Sequence, residues 1–435
     1  MNCKYWIVPV VLAVSWPCFG QLERGEDSLA RDAVVLTVDQ AVAEARQSNP
    51  EILAAVRRLT LAQMKTATAG SLDDPMFSVR DWQTPLSKPW DLNQAQLMFM
   101  VERTYPSQEK RMVRSRVAIE NAQVASDDLD TARADVAVEV RKVCADLKRN
   151  ADAFKVHDQQ AALLKEALAG ALAEYTTGKV PQAEVLRAQM AVTRLNEHMI
   201  ELAQDRDSAS AQLNALLGRR PDQAVEISGT YAAPIALPAI EELEQTAIDH
   251  RPELAALRQQ VTSSREEGTL TRMAMKPDFT VGLGYMLMPS GSTSRNAYMA
   301  EFSMNLPRWN RSRHEAEGKQ ADAATAVSQS ELEARSNAVF LEVRQAQIEV
   351  QAAEKRVKLY RDTLMPQADA AFKAATAAYQ NNRGEFANLI DSQNVLLDVE
   401  TALYTAEAAV DLGLARLERA IGAPLSAPTE KETTK

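Results

Sequence analysis

The chain has little of what builds disulfide-rich, aromatic-rich or helical membrane-spanning proteins. Aromatic residues make up 5% of its 435 residues, and only three residues are cysteines. Beyond the N-terminus, no apolar run reaches the roughly 18 residues that a transmembrane helix needs. This composition favours long helices over a β-sandwich or an α/β enzyme. The net charge of −10 disfavours nucleic acid as a partner, because nucleic acid is itself an anion.

The first 20 residues are predicted to be a signal peptide. Lys4 supplies a positive charge, residues 5–14 form a short apolar segment, and Gly20 precedes the predicted cleavage position. A membrane anchor is the alternative, and the shortness of the apolar segment disfavours it. We therefore expect the protein to be exported from the cytoplasm.

Removal of the predicted signal peptide limits the cysteine chemistry of the chain. Cys3 and Cys18 leave with the signal peptide, so Cys144 alone remains and cannot form an internal disulfide. Lipidation of Cys18 is a second possibility for the N-terminus. Trp16 and Pro17 disfavour it, because small residues normally precede a lipidated cysteine.

The sequence contains no recognisable catalytic constellation. The four histidines stand far apart, and we interpret them as surface or packing residues on helices; they are His157, His198, His250 and His314. Cys144 lies in a predicted long helix and is interpreted as a small buried residue. No phosphate-binding loop or nucleophile-elbow pattern occurs. The chain is predicted not to be an enzyme, to need no cofactor and to hold no metal site.

An internal repeat organises the chain. Residues 171–218 align without a gap on residues 375–422, and the matched pairs include Tyr175 with Tyr379 and Gly218 with Gly422. Chance similarity between alanine-rich helices would not keep such an offset across Tyr and Gly. We predict an internal duplication with a first repeat at 21–218, a linker at 219–238, a second repeat at 239–422 and a disordered tail at 423–435.

Each repeat is predicted to contain the same elements. A helix of about 35 residues comes first, then two strands, a very long helix and a returning helix. The predicted helices cover residues 38–69, 108–177 and 182–217 in the first repeat and residues 240–275, 311–381 and 386–421 in the second. A helix of about 70 residues spans roughly 105 Å at 1.5 Å per residue. Pro366 predicts a kink in the second long helix.

The strand segments are predicted to belong to an outer-membrane β-barrel. Apolar and mostly polar residues alternate over 298–306 and 279–285, and less regularly over 97–101 and 77–79. A soluble antiparallel sheet is the alternative. Two hairpins at equivalent places in a duplication favour the barrel. Four strands cannot close a barrel in lipid, so several chains must share one.

Several motifs resemble those of the TolC-type outer-membrane efflux proteins. They are Tyr175-Thr-Thr-Gly178, Ala183-Glu-Val-Leu186, Asn388-Leu-Ile-Asp391, Asn49-Pro-Glu51, Arg251-Pro-Glu253 and Leu364-Met-Pro-Gln-Ala368. The resemblance implies a mostly α fold with a small β part: a long α-helical coiled-coil barrel and four strands per chain in a trimeric, twelve-stranded outer-membrane barrel. It also implies a homotrimer that works with a periplasmic adaptor and an inner-membrane RND-type pump.

Within this family the chain is most similar to the heavy-metal branch, through residues 104–111. The resemblance therefore implies a duct for metal cations, with a multidrug or other small-molecule duct as the alternative. Six methionines surround the second hairpin: Met273, Met275, Met286, Met288, Met299 and Met304. Thioethers bind soft Cu(I), but methionine also fills apolar surfaces. A periplasmic coiled-coil adaptor is the main rival, and the duplication disfavours it.

Two groups of residues are candidate sites. Turns at the periplasmic tip, where the adaptor would dock, are predicted at Gly178, Lys179, Asn382, Arg383 and Gly384, since Gly and Asn tolerate positive φ. The resemblance implies an acidic constriction at the tunnel entrance, at Asp391. Asn388, Glu184 and Arg187 stand at related positions, and Arg187 is predicted to pair with a neighbouring carboxylate and hold the entrance closed.

Overall fold

The computed structural model describes residues 34–82, 96–233, 235–289, 292–294, 296–381 and 383–425. The predicted signal peptide lies outside these residues. In chain order, the first half contains β1 (Val34–Thr37), α1 (Val38–Ser48), α2 (Pro50–Ala69), β2 (Met76–Trp82), β3 (Gln96–Tyr105), α3 (Gln108–Thr176) and α4 (Gln182–Leu216). The second half contains β4 (Val225–Ser228), α5 (Ile240–His250), α6 (Pro252–Met273), β5 (Phe279–Leu287), β6 (Asn296–Met304), α7 (Arg311–Leu359), α8 (Met365–Gln380) and α9 (Phe386–Ile421).

The helix α3 is a single rod of 69 residues. It begins after Ser107, whose hydroxyl accepts a hydrogen bond from the amide of Lys110 at 3.3 Å, as an N-cap does. Its buried residues Val136, Val140, Val143 and Leu147 recur at helical spacing and form part of one core cluster. The long rod is thus stabilised by an apolar stripe packed along neighbouring helices rather than by helix propensity alone.

The first helix of each half is broken, where the sequence predicted one continuous helix. The breaks fall at Asn49 and Arg251, whose backbone is extended (φ −63° and −72°). Pro50 and Pro252 follow, and the proline ring excludes the α conformation from the residue before it. Each proline then starts the next helix, where its missing N–H costs nothing.

The second rod is interrupted as Pro366 predicted. A π-helical segment covers Tyr360–Leu364 and separates α7 from α8. Proline lacks the amide that would bond four residues back, and the wider π turn absorbs that loss. The rod therefore ends at Gln380 as α8, not as one helix over 311–381.

The four long strands form one antiparallel sheet in the order β2-β3-β5-β6. The two hairpins therefore join through β3 and β5, one strand from each half, with Val101 opposite Leu283. Strands β2 and β6 each pair on one side only within the described chain. Strand β6 begins two residues earlier than the predicted 298–306 and ends at Met304.

The linker contains a strand that its proline-rich sequence did not predict. Strand β4 pairs in parallel with β1, and Val34 lies opposite Val225. Val225 is buried in the core of the first half. Residues 423–425, predicted to begin a disordered tail, instead pack on the core of the second half through Ala423 and Leu425. The remainder of that tail lies outside the described residues.

Three buried clusters account for the packing. One belongs to the first half and one to the second, and each joins the broken first helix to the long rod and the returning helix. The third joins the two halves near the turns, through Leu164, Leu195, Phe386 and Ile390. Across the helices that the structure describes, none is both long and apolar enough to cross a membrane.

Candidate functional site

The first long hairpin turns at Gly178, between α3 and α4. Gly178 has φ 72°, in the left-handed region that favours glycine. Its amide donates to the Tyr175 carbonyl at 3.0 Å, and the Lys179 amide donates to the Glu174 carbonyl at 3.0 Å. These two bonds complete a Schellman ending of α3. No atom lies within 4 Å of where a Cβ on Gly178 would stand, so the turn needs glycine for its backbone and not for packing.

The second hairpin turns between α8 and α9 with related geometry. The Arg383 amide donates to the Ala378 carbonyl at 2.9 Å, the same sequence separation as the bond from Lys179 to Glu174. Gly384 packs tightly there, because a Cβ at this position would stand 3.0 Å from the Cβ of Ala378. Asn382, the remaining predicted tip residue, lies outside the described residues.

The two turns lie side by side. The Tyr379 hydroxyl donates to the Glu174 carboxylate at 3.4 Å, which joins the end of α8 to the end of α3. The Tyr379 ring packs on Phe386, with ring centroids 5.6 Å apart. Burial, and then the neighbouring Glu174 carboxylate, raise the pKa of Tyr379. Residues from both halves thus form one continuous end of the molecule.

Two of the four predicted entrance residues share a cavity. Arg187 on α4 and Asp391 on α9 both line a space of about 570 Å³ between these helices. Arg194 and Asp398 line the same cavity, seven residues further along each helix. Seven residues are close to two helical turns, so each helix presents two like charges on one face. Within the described residues, none of these four side chains forms an ion pair.

The other two predicted entrance residues lie nearer the turns and outside this cavity. Glu184 is partly buried in the first turn of α4, and its charge contributes to the raised pKa of Tyr379. Asn388 is exposed in the first turn of α9. The equivalent positions in the two repeats are therefore not equivalent in their surroundings.

Two histidines that were interpreted as isolated are in contact. The rings of His157 on α3 and His198 on α4 have centroids 6.1 Å apart, at an interplanar angle of 70°. His157 precedes Gly178 by twenty-one residues and His198 follows it by twenty. Positions equidistant from the turn of an antiparallel helical hairpin face each other. That symmetry about Gly178 was the sequence signal that could have predicted the pair.

Cys144 is fully buried, as the sequence predicted. Burial raises the pKa of its thiol to about 12, which leaves it protonated and unreactive at neutral pH. It lines a cavity of about 300 Å³ with Lys148, whose ammonium lies 3.4 Å from the centroid of the Tyr231 ring. Burial lowers the pKa of Lys148, although the carboxylates of Asp411 and Asp152 oppose that effect.

The sheet separates its side chains into two faces. Phe77, Val101 and Leu283 share one face and are 64%, 50% and 68% exposed. The opposite face carries five methionines, which are Met76, Met98, Met100, Met286 and Met299. The sulfur of Met100 would lie 3.5 Å from a Cβ on Gly282, so this methionine fills space that the glycine leaves. Packing accounts for its burial without a metal.

Carboxylates are numerous, but they do not gather into a preformed metal centre. Within the described ranges, no three side chains of His, Cys, Asp or Glu are arranged to hold an ion. Many of the described carboxylates instead pair with arginine or lysine. The densest group is Glu253, which accepts from Arg335 at 2.6 Å and from Arg419. This cluster is structural, because it joins α6, α7 and α9.

Comparison with known proteins finds that the chain is similar to outer membrane efflux proteins. The family model described as "Outer membrane efflux protein" matches residues 243–423. The cobalt-zinc-cadmium resistance protein CzcC of Cupriavidus metallidurans is 23% identical over 390 residues, covering 88% of this chain and 90% of CzcC.

Solved structures agree with the fold. The structure of CusC superposes with a TM-score of 0.76 at 14% identity, over 89% of this chain and 92% of CusC. The outer membrane protein VceC of Vibrio cholerae gives 0.73 at 16% identity, over 89% and 97% of the two chains. Residues 243–423 therefore match the outer membrane efflux protein family, the chain is similar to CzcC over most of its length, and its fold is similar to those of CusC and VceC.

Proposed function

We propose that this chain is the outer-membrane duct of a tripartite efflux system, and that three copies share one twelve-stranded barrel. The observation that carries the proposal is that the outer strands β2 and β6 each pair on one side only within the described residues. An open edge in lipid leaves backbone amides and carbonyls without partners, at a cost of several kcal/mol for each group. Pairing β6 of one copy with β2 of the next removes both edges, and three copies close the ring.

The two faces of the sheet suit that position. The exposed face carries Phe77, Val79, Leu283 and Phe302, which are costly in water and favourable against lipid. Beside the methionines, the other face carries Ser78, Glu102, Glu301 and the small residues Gly282 and Gly284. An apolar outside with a polar inside is the pattern of outer-membrane strands.

The long helices continue the duct away from the barrel. Each chain supplies the rod α3 and the interrupted rod of α7 and α8, with α4 and α9 returning beside them. At 1.5 Å per residue, α3 is roughly 100 Å long. The turns at Gly178, Lys179, Arg383 and Gly384 form the far end, and we assign the docking of a periplasmic adaptor to them. An inner-membrane RND-type pump supplies the energy.

The entrance is assigned to the cavity between α4 and α9. Asp391 and Asp398 on one helix line this cavity together with Arg187 and Arg194 on the other, and none of the four forms an ion pair among the described residues. Closure would bring these opposite charges together, and opening would separate them. Asp391 from three copies would also attract cations toward the axis. Replacing Asp391 with alanine should weaken the cation preference of the channel in a planar bilayer, and an unchanged preference would remove Asp391 from the entrance.

Metal cations are the proposed cargo. The similarity to CzcC favours them, since that protein carries cobalt, zinc and cadmium resistance in its name. The solved structures establish the fold alone and do not separate metal ducts from multidrug ducts. Multidrug export is therefore the second candidate. Cells that lack the chain should accumulate zinc, cobalt or cadmium and should recover when it is supplied, whereas recovery from hydrophobic drugs alone would favour the second candidate.

The assembly is tested on the full-length protein extracted from membranes. Outer-membrane fractions should contain the chain, and native mass spectrometry in mild detergent should give three copies per particle. A soluble periplasmic monomer would instead favour an adaptor. Substitution of Gly178 by a β-branched residue should abolish export while the trimer stays in the membrane; the control is Gly170→Ala, inside α3, where no atom lies within 4 Å of the added Cβ.

A further inference from the structure

Among the described residues, His157 and His198 form a pair of metal-binding side chains that the duct function does not explain. His157 lies on α3 and is 7% exposed, whereas the side chain of His198 on α4 is 56% exposed. The two rings lie at an interplanar angle of 70° with centroids 6.1 Å apart. One partner is therefore fixed inside the protein, and the other can be reached from solvent.

The hydrogen bonds of the pair leave both Nε2 atoms available. The Nδ1 of His157 is 2.8 Å from the Ala153 carbonyl. A carbonyl only accepts, so Nδ1 carries the proton and Nε2 keeps its lone pair. The Nδ1 of His198 is 3.3 Å from the Glu201 carboxylate, with the same consequence. A histidine that binds a metal typically has its other ring nitrogen held in this way.

The pair opens into a cavity that brings a carboxylate close. A space of about 450 Å³ is lined by both histidines and by Asp398 of α9. Arg356 of α7 is the other charged residue of this lining. Neither Asp398 nor Arg356 forms an ion pair among the described residues. The lining of the cavity thus includes two imidazole rings and one carboxylate, with Arg356 as the opposing cation.

The separation of the rings fits shared coordination. Two imidazoles that bind one Zn²⁺ through Nε2 at about 2.0–2.1 Å have centroids roughly 5–6 Å apart. The observed centroid separation of 6.1 Å is close to that range, and the exposed His198 ring has room to turn. Asp398 needs a change of its own side chain, because no three such groups are preassembled in the described residues.

We propose that His157 and His198 form a transient binding site for a divalent cation of intermediate softness, such as Zn²⁺ or Co²⁺, with Asp398 as an additional ligand. Imidazole nitrogen suits these ions, and a hard ion such as Mg²⁺ prefers oxygen. The inference rests on the proposed function, because the ion is cargo and not a resident cofactor. One fixed ligand and two mobile ones give weak binding, which conduction requires so that the ion can leave.

The other two histidines provide an internal control. His250 and His314 also have Nδ1 held by an acceptor, the Thr246 carbonyl and the Glu317 carboxylate. Neither has a second histidine beside it in the described part of the chain. His314→Gln therefore removes one histidine without touching the pair.

The test is Zn²⁺ titration of the full-length trimer, purified without a polyhistidine tag and followed by calorimetry. The wild type and His314→Gln should bind Zn²⁺ with the same affinity. His198→Gln should weaken binding at least tenfold, and its exposed position makes misfolding a poor explanation. Asp398→Asn should weaken binding less. Co²⁺ bound to the wild type should give visible absorption bands that His157→Gln loses.

Equal Zn²⁺ affinity in His198→Gln and the wild type would overturn the inference, as would no binding by the wild type. Conductance of the same samples in potassium chloride separates this failure from failure of the duct. A trimer that conducts potassium and binds no Zn²⁺ contradicts only the histidine site. A chain that forms neither trimers nor channels contradicts the proposed function itself.

Discussion

The two halves of the chain bend their first helix at the same place by different chemistry. In the first half, Asn49 caps the new helix, since its Oδ1 accepts from the amides of Glu51 (2.8 Å) and Ile52 (3.2 Å). Its Nδ2 also donates to the Leu216 carbonyl at 2.9 Å, which ties the break to the end of α4. One neutral side chain therefore satisfies both helices.

In the second half, Arg251 occupies the same position and gives no cap. It is 3% exposed and pairs with Glu342, and Glu253 beside it accepts from Arg335 and Arg419. Charges replace the hydrogen bonds of the first half. Such a network need not make the fold more stable. Removing one of its members is nevertheless costly, because the remaining charges stay buried.

The largest expected effect comes from Glu253→Gln. It leaves Arg251 and Arg419 with less compensation and should lower the free energy of unfolding by about 3 kcal/mol. The matched control is Glu51→Gln at the equivalent position of the first half, where the side chain is exposed and should cost under about 0.5 kcal/mol. Chemical unfolding followed by circular dichroism at one protein concentration measures both. Equal losses in the two variants would contradict the contrast between the halves.

Both halves have a glycine with positive φ at the end of the returning helix, and stability should be nearly as sensitive to its substitution. Gly218 and Gly422 have φ 68° and 72°, and a Cβ would stand 2.7 Å from the Ser48 carbonyl oxygen and 2.8 Å from that of His250. Alanine at either position adds backbone strain and a clash, and should cost about 2 kcal/mol or more.

Gly170→Ala is the control for these two variants. It lies inside α3 with no atom within 4 Å of the added Cβ, and it should raise stability by about 0.5–1 kcal/mol. Thermal unfolding of the three variants under one condition gives the comparison. A neutral Gly422→Ala would mean that α9 does not pack on the break in α5 and α6 as described.

Removing the Asn49 helix cap of the first half should have a smaller effect on stability. Asn49→Ala removes the cap and the bond to Leu216, at a cost of about 1–2 kcal/mol. Asn49→Asp keeps the acceptor for Glu51 and Ile52 but loses the donor, so its stability should fall between alanine and the wild type. Unfolding midpoints measure the series. If aspartate is as damaging as alanine, the donor to Leu216 matters and the cap does not.

The smallest expected effect is on the way stability depends on pH. Burial alone would raise the pKa of Glu253, but hydrogen bonds from Arg335 and Arg419 outweigh it and lower the pKa below the ordinary 4.5. Glu253 therefore stabilises the fold above pH 4.5, and this contribution is lost as the pH falls below that value. The stability difference between the wild type and Glu253→Gln should shrink on acidification from about pH 6 toward pH 3. A difference that stays constant would mean that the carboxylate is not shifted.

Much of this fold could be predicted from local signals. Gly178 and Gly422 fall at the ends of helices because glycine adopts positive φ easily. The helix α3 was predictable from the spacing of its apolar residues. The breaks at Asn49 and Arg251 were predictable too, since Pro50 and Pro252 exclude the α conformation from the residues before them. The prediction of one continuous helix for each of these segments gave too little weight to that steric rule.

Other features depend on residues far apart in the chain. Strand β4 forms because Val225 meets β1, almost 200 residues away, and its own sequence is short and flanked by prolines. Arg251 looks like a surface residue until Glu342 and Arg419 are placed around it. The pairing of His157 with His198 needed the turn at Gly178 to be located first. Only the tertiary structure supplies such contacts.

Cross-linking between neighbouring copies tests the shared barrel most directly. Val79→Cys on β2 is combined in turn with Tyr298→Cys, Ala300→Cys or Phe302→Cys on β6. In one chain β3 and β5 separate these strands by roughly 14 Å, at about 4.8 Å per strand, which is too far for a disulfide. Each single-cysteine variant is a control, since Cys144 is buried. Oxidation of outer membranes should give a covalent trimer with at least one pair. Monomers with all three pairs would contradict the shared barrel.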